Sequence, residues 1–243
     1  MRLIGCKLNT LLFEELKKVS TPEKAKANAW FFKTGPGEYG EGDQFIGVTV
    51  PLQRKVAKSL YKQLTIDEVL QSLQSPWHEE RLTALFILVL KYQKGDQIDK
   101  DRVADAYLEN TEFVNNWDLV DSSAGYILGD WLENSPYKMK VLTKLAKSND
   151  LWERRIAMLS CSNYIGKGRS KEAFEIIEIL KNDHHDLIQK AVGWMLREIG
   201  KRVNRDELTN FLDKNAATLP RTALRYSIEH LPTEQRKRYL NMR

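Results

Sequence analysis

Cysteine is nearly absent from this chain of 243 residues: Cys6 and Cys161 stand far apart, at no metal-ligand spacing. The four histidines (His78, His184, His185 and His230) form no cluster with them. These scarcities argue against a zinc site, and two isolated thiols suit a reducing compartment. Long apolar runs are missing too. The longest, "ALFILVL" at 84–90, is far too short to span a bilayer. The N-terminal "MRLIGCKLNTLLFEELKK" is broken by Lys7 and reaches Glu14 and Glu15 too early for a signal peptide. A soluble, cytoplasmic protein is expected, with no metal and no cofactor.

What is present is a packable composition: 42% hydrophobic and 29% charged residues, with a net charge of +5 and a pI near 9.0. Disorder is thereby disfavoured. The modest positive balance admits nucleic acid or a phosphorylated partner without requiring either.

Helical period dominates. "KLNTLLFEELKKVS" places Leu8, Leu11, Leu12 and Leu16 on one side, and "TPEKAKANAWFFK" opens with Thr21 as N-cap and Pro22 at the first helical position. One segment departs from the pattern. "TGPGEYGEGDQFIGVTVP", 34–51, is glycine-rich and then favours an extended chain, so it predicts a loop or a small β-hairpin within about residues 35–49. After Pro51 the helices come in pairs, and first members begin near Trp77, Asn116, Leu151, Asp186 and Leu219, at intervals of 33 to 39 residues. That spacing predicts an all-α fold, an α-solenoid of HEAT-like or armadillo-like repeats forming one domain over 1–243. First helices also carry the mixed charges, among them Arg81, Asp121, Arg154, Arg155, Lys190, Arg197 and Arg221. A concave basic surface following a DNA backbone is one reading, and ordinary solvated helix faces are the other.

The stretch "EFVNNWDLVDSSAGYILGDWL", 112–132, reads as a helix with Trp117 and Asp121 one turn apart on a shared face. The next repeat offers Arg154 and Arg155; the one after offers Trp194, with Lys190 a turn before it and Arg197 about a turn after. Three neighbouring repeats can thus bring two indoles, a carboxylate and a guanidinium to one cleft. A carboxylate among phosphate-binding groups is costly unless it has work, because it repels what they attract. Cleavage of an N-glycosidic bond supplies such work. The sugar turns cationic in the transition state, and a carboxylate stabilises it and orients water. Indole faces favour the same cation. Each residue also has a plainer reading: core tryptophans, a surface acid and a salt-bridged arginine pair.

The strings "NNWDLVD" (115–121), "LWERRIAML" (151–159), "QKAVGWMLREIGK" (189–201) and "FIGVTVPLQRKVAK" (45–58) together resemble the AlkD family of alkylpurine DNA glycosylases, which are HEAT-like repeat proteins. The likeness runs from about Thr21 to His230. It implies Asp121 as catalytic carboxylate, Trp117 and Trp194 flanking the lesion nucleotide's sugar, and Arg155, rather than Arg154, contacting the DNA backbone. Arg54 matches a further backbone contact. The implied reaction is release of cationic N3- or N7-alkylated purines, such as 3-methyladenine and 7-methylguanine, from duplex DNA, without a general acid and without a pocket for the flipped base. The sequence offers no second carboxylate for protonating a leaving group. The glycine-rich insert is the departure. Compact members lack it, and relatives that bind branched DNA without excising bases keep a second reading open: a non-catalytic binder of branched or distorted DNA, with Tyr39 at the insert's tip probing a groove. A scaffold for an acidic protein is a third. A monomer is expected.

Overall fold

The computed structural model describes residues 10–242, so Cys6 and Leu8 lie outside the described residues. The regular structure of the described chain is helical, and the chain divides into two compact units, with the boundary between Leu119 and Val120.

The first unit opens with α1 (Leu11–Lys17), where Thr10 Oγ1 accepts the N–H of Phe13 at 3.0 Å. In α2 (Pro22–Phe31), Thr21 caps Lys24 and Pro22 starts the first turn, as the sequence predicts. The pairs α3 (Val50–Leu60) with α4 (Ile66–Leu73) and α5 (His78–Lys94) with α6 (Gln97–Glu109) follow. A reciprocal capping box starts α4: Thr65 Oγ1 accepts the Glu68 N–H while Glu68 accepts the Thr65 N–H. The apolar run 84–90 falls within α5, where Ala84 to Leu88 are all buried against α3, α4 and α6.

The insert is not a hairpin: among the described residues there is no strand, only an isolated parallel bridge between Gln44 and Trp77. The reason lies in Glu79. Its carboxylate is buried in α5 and accepts the N–H groups of Ile46 (2.8 Å), Gly47 (2.9 Å) and Val48 (3.3 Å), besides the amide of Asn28 (2.9 Å). One side chain thus takes the backbone donors that a partner strand would have used. Gly47, at φ 95°, lets the chain pass α2: a Cβ there would meet the Thr21 carbonyl oxygen at 2.0 Å. Residues 35–43 form successive turns in which Glu38 and Glu41 bond the N–H groups of Gly35 and Gly37.

The expected single helix over 112–132 is broken. Helix α7 (Trp117–Asp121) contains the unit boundary and ends after five residues. A π-helical turn, Gly125–Gly129, follows. Close packing imposes the break. A Cβ on Gly125 would meet Ser162 Oγ, and one on Gly129 the Ser160 carbonyl, each at 2.3 Å. Single π turns of this kind recur at functional sites.

The second unit continues with α8 (Lys138–Ala146), α9 (Leu151–Ser160), α10 (Ser162–Gly166), α11 (Lys171–Leu180), α12 (Asp186–Arg202), α13 (Arg205–Asn215), α14 (Arg221–Ser227) and α15 (Thr233–Asn241). The repeat helix expected to start near Leu151 is likewise followed at once by a second, α10, with the break at Cys161. The central α12 packs on α9, α13 and α14.

Candidate functional site

Residues of the second unit surround a hollow of about 530 Å³. Asp121, the last residue of α7, stands in its wall, as does Trp194 from α12. Arg155 reaches Asp121 from α9. Its Nε donates to Oδ1 at 2.9 Å and its Nη2 to Oδ2 at 2.8 Å, while Nη1 donates to the Leu187 carbonyl at 2.5 Å. The fork-to-fork geometry fixes both planes. The Arg155 side chain is 5% exposed and that of Asp121 16%. The carboxylate is therefore paired, yet still faces the hollow.

The family likeness implies a DNA-backbone contact for Arg155; in the structure its side chain holds Asp121. Its guanidinium is turned into the protein and engaged on three nitrogens, by Asp121 and by the Leu187 carbonyl. Spacing alone could not tell a phosphate-facing arginine from one that grips the neighbouring acid. Arg154 is paired with Asp183 at 2.8 Å and also bonds the carbonyls of Ser148 and Asn149.

A second carboxylate, unforeseen, lines the same hollow. Glu198 follows Trp194 by one helical turn, and Arg202 follows Glu198 by another. Burial alone would raise the Glu198 pKa. The hydrogen bond from Arg202 Nε, at 2.5 Å, and the charges of Arg202, Arg197 and Lys201 outweigh it and hold the group below the usual carboxylate range. Glu198 is therefore an anion near neutral pH and does not supply a proton. Tyr126, 55% exposed, and Lys167 complete the rim. The i, i+4, i+8 series of Trp194, Glu198 and Arg202 was the available signal.

Other expected residues fall elsewhere. Lys190 pairs with Asp186 at 2.6 Å on its own helix. Arg197 pairs with Glu229 and lines a separate hollow of about 280 Å³ with Lys201, Arg205 and His230. Arg54 is exposed on α3, its guanidinium 4.1 Å from the Phe86 ring centroid. Tyr39 is not a projecting tip. Half-buried, it folds back so that its hydroxyl accepts the indole N–H of Trp117 at 3.3 Å, within the first unit. Cys161 is buried and its thiol pKa is pushed far up by burial, which leaves it inert as a nucleophile. Among the described residues no helix is long and apolar enough to cross a membrane, and no group of acidic, histidine or cysteine side chains could hold a metal ion.

Fold and site together define a helical-repeat protein with an arginine-anchored carboxylate beside an indole. A family model described as DNA alkylation repair enzyme matches residues 12–231, and the chain belongs to that family. The fold is also that of a solved structure described as "Predicted DNA alkylation repair enzyme from Enterococcus faecalis", with a TM-score of 0.68 at 18% identity, over 88% of this chain and 97% of that one. No curated protein matches the chain.

Proposed function

We propose that the protein is a monofunctional DNA glycosylase that releases N3- or N7-alkylated purines from duplex DNA. The observation that carries the reading is the Asp121 carboxylate, held by buried Arg155 and still facing a hollow beside Trp194. The alkylated base already bears positive charge, so it leaves without a general acid. As the glycosidic bond lengthens, positive charge develops on the sugar; Asp121 lowers the energy of that charge and orients the attacking water. The electron pair of the bond goes to the departing base, which leaves neutral, and water delivers its oxygen to the anomeric carbon and gives up its proton to solvent. The products are the free base and an abasic site.

Arg155 has a different part in this reading from the one its neighbours in sequence suggest. It fixes the carboxylate plane, so that no reorientation is needed when the cation forms. Trp194 offers its π face to the sugar. Trp117 keeps the substrate-contacting role implied by the family likeness, and Arg54, Lys190 and Arg197 are assigned to the phosphate backbone. Binding of DNA by these cations involves exchange with the acids that hold Lys190 and Arg197. The protein is assigned no metal or cofactor and acts as a monomer in the cytoplasm.

The test is incubation with methylated genomic DNA followed by chromatography of the released bases. The reading expects free 3-methyladenine and 7-methylguanine in amounts that grow with time. A folded protein that binds the DNA and releases neither excludes it.

A further inference from the structure

Within the first unit, a buried cluster ties the glycine-rich insert to the start of α7. His78, at 1% side-chain exposure, stands between two acids: Nδ1 is 2.9 Å from Asp43 of the insert, and Nε2 is 2.8 Å from Asp118. Arg81 closes the charge balance, with its Nη2 2.6 Å from Asp43. Two cations thus face two anions, which is what burial of such groups demands.

Each contact fixes something next to Trp117. Asn116 donates to Asp43 at 3.1 Å and accepts the Trp117 backbone N–H at 2.8 Å. On the other side, Asp118 accepts from His78 on Oδ2 and from the Leu119 N–H on Oδ1, at 2.9 Å. The backbone of Trp117 is therefore flanked by two residues that the insert and His78 hold. The indole is set as well. Phe32 stacks on it with centroids 5.5 Å apart, Phe31 meets it edge-on at 6.0 Å, and Tyr39 takes its N–H. Phe32 also lies 4.5 Å from the His78 ring, and Phe45 lies 4.9 Å from it.

We propose that His78 is a positioning residue for Trp117, and that the insert, through Asp43 and Tyr39, is the brace that completes the clamp. The insert then serves orientation of the indole from inside the fold rather than the probing of a groove. The cationic form of His78 suits this task, since both ring nitrogens then donate, one to each acid. The importance of the clamp for base release rests on the glycosylase reading; its effect on Trp117 does not.

The experiment labels the protein with 5-fluorotryptophan. Trp117→Phe assigns its resonance among the six. His78→Gln, Asp43→Asn and Tyr39→Phe are then compared for the fluorine spectrum and for base release. The clamp predicts that each variant shifts or broadens the Trp117 signal while the Trp152 and Trp194 signals hold. It also predicts that kcat falls by about tenfold or more, with KM changed by no more than about threefold. Tyr39→Phe removes one hydroxyl from a half-buried ring, so it decides the matter if His78→Gln does not fold. An unmoved Trp117 signal in folded variants overturns the proposal. So does a shift of all six signals together, which makes His78 a general stabiliser. A wild-type protein that releases no base removes the glycosylase reading and leaves the fluorine result to judge the clamp.

Discussion

Asp121 and Arg155 set the energetics of the site at the scale of single residues. The pair is mostly buried, so removing one charge strands the other. Asp121→Asn keeps an oxygen for the guanidinium but loses the charge, and it should both slow the reaction and lower stability by about 1–3 kcal/mol. Arg155→Gln should lower stability similarly and release base more slowly, because the carboxylate loses its fixed plane; thermal melting beside single-turnover assays separates the two effects.

His78 makes a pH prediction. Its pKa is about 9, raised from the ordinary 6.5: burial opposes the charge, but the charge and hydrogen bond of Asp118 and then those of Asp43 prevail. A folded-state pKa above the unfolded one means that the stabilisation is complete below pH 6.5 and is lost as pH rises through 9. Asp43 acts at the other end. Burial would raise its pKa, yet the hydrogen bond from His78 and the charges of Arg81 and His78 hold it below 3.8, so its contribution is present above that pH and fades as pH falls through the lowered value. The groups facing His78 are Asp43 and Asp118, with Arg81 beyond Asp43. Melting temperature should therefore decline from pH 7 to 10 in the wild type more steeply than in His78→Gln. Parallel curves would refute a charged His78.

Elements owe their positions to features that local pattern carries unequally. The paired helices and the cap at Thr21 were legible, because capping and apolar period act within one turn. Asp121, Arg155 and Trp194 were legible as a group because successive repeats present them at matching phase. The break after Asp121 was not. Gly125 and Gly129 look tolerable in a helix until Ser160 and Ser162 press against them from α9 and α10. The hairpin expectation failed on Glu79, whose carboxylate lies more than thirty residues beyond the amides it binds. Glu79→Ala should cost about 3 kcal/mol or more by stranding several donors, and limited proteolysis should then cut within 34–48. Gly193 marks a second close approach. A Cβ there would meet the Ala223 carbonyl and the Tyr226 Cβ at 2.5 Å. Gly193→Ala should thus destabilise by about 1–3 kcal/mol in urea unfolding, despite the better helix propensity of alanine.

At the scale of the whole molecule, a net charge of +5 is a weak attractor for a polyanion, and acids already hold two of the cations assigned to DNA, Lys190 and Arg197. Duplex binding should be modest and should weaken as salt rises, since each phosphate contact releases counterions. The histidine clamp could not be read from the chain at all: Asp43, His78 and Asp118 sit 35 and 40 residues apart, with no period linking them. Family membership covers nearly the entire chain and gives DNA alkylation repair. In the proposed reaction the chemistry turns on one carboxylate. The most direct measurement is the single-turnover rate of 7-methylguanine release from a methylated duplex by wild type and by folded Asp121→Asn. Electrostatic stabilisation of the sugar predicts a drop of about 100- to 1,000-fold; equal rates would contradict it.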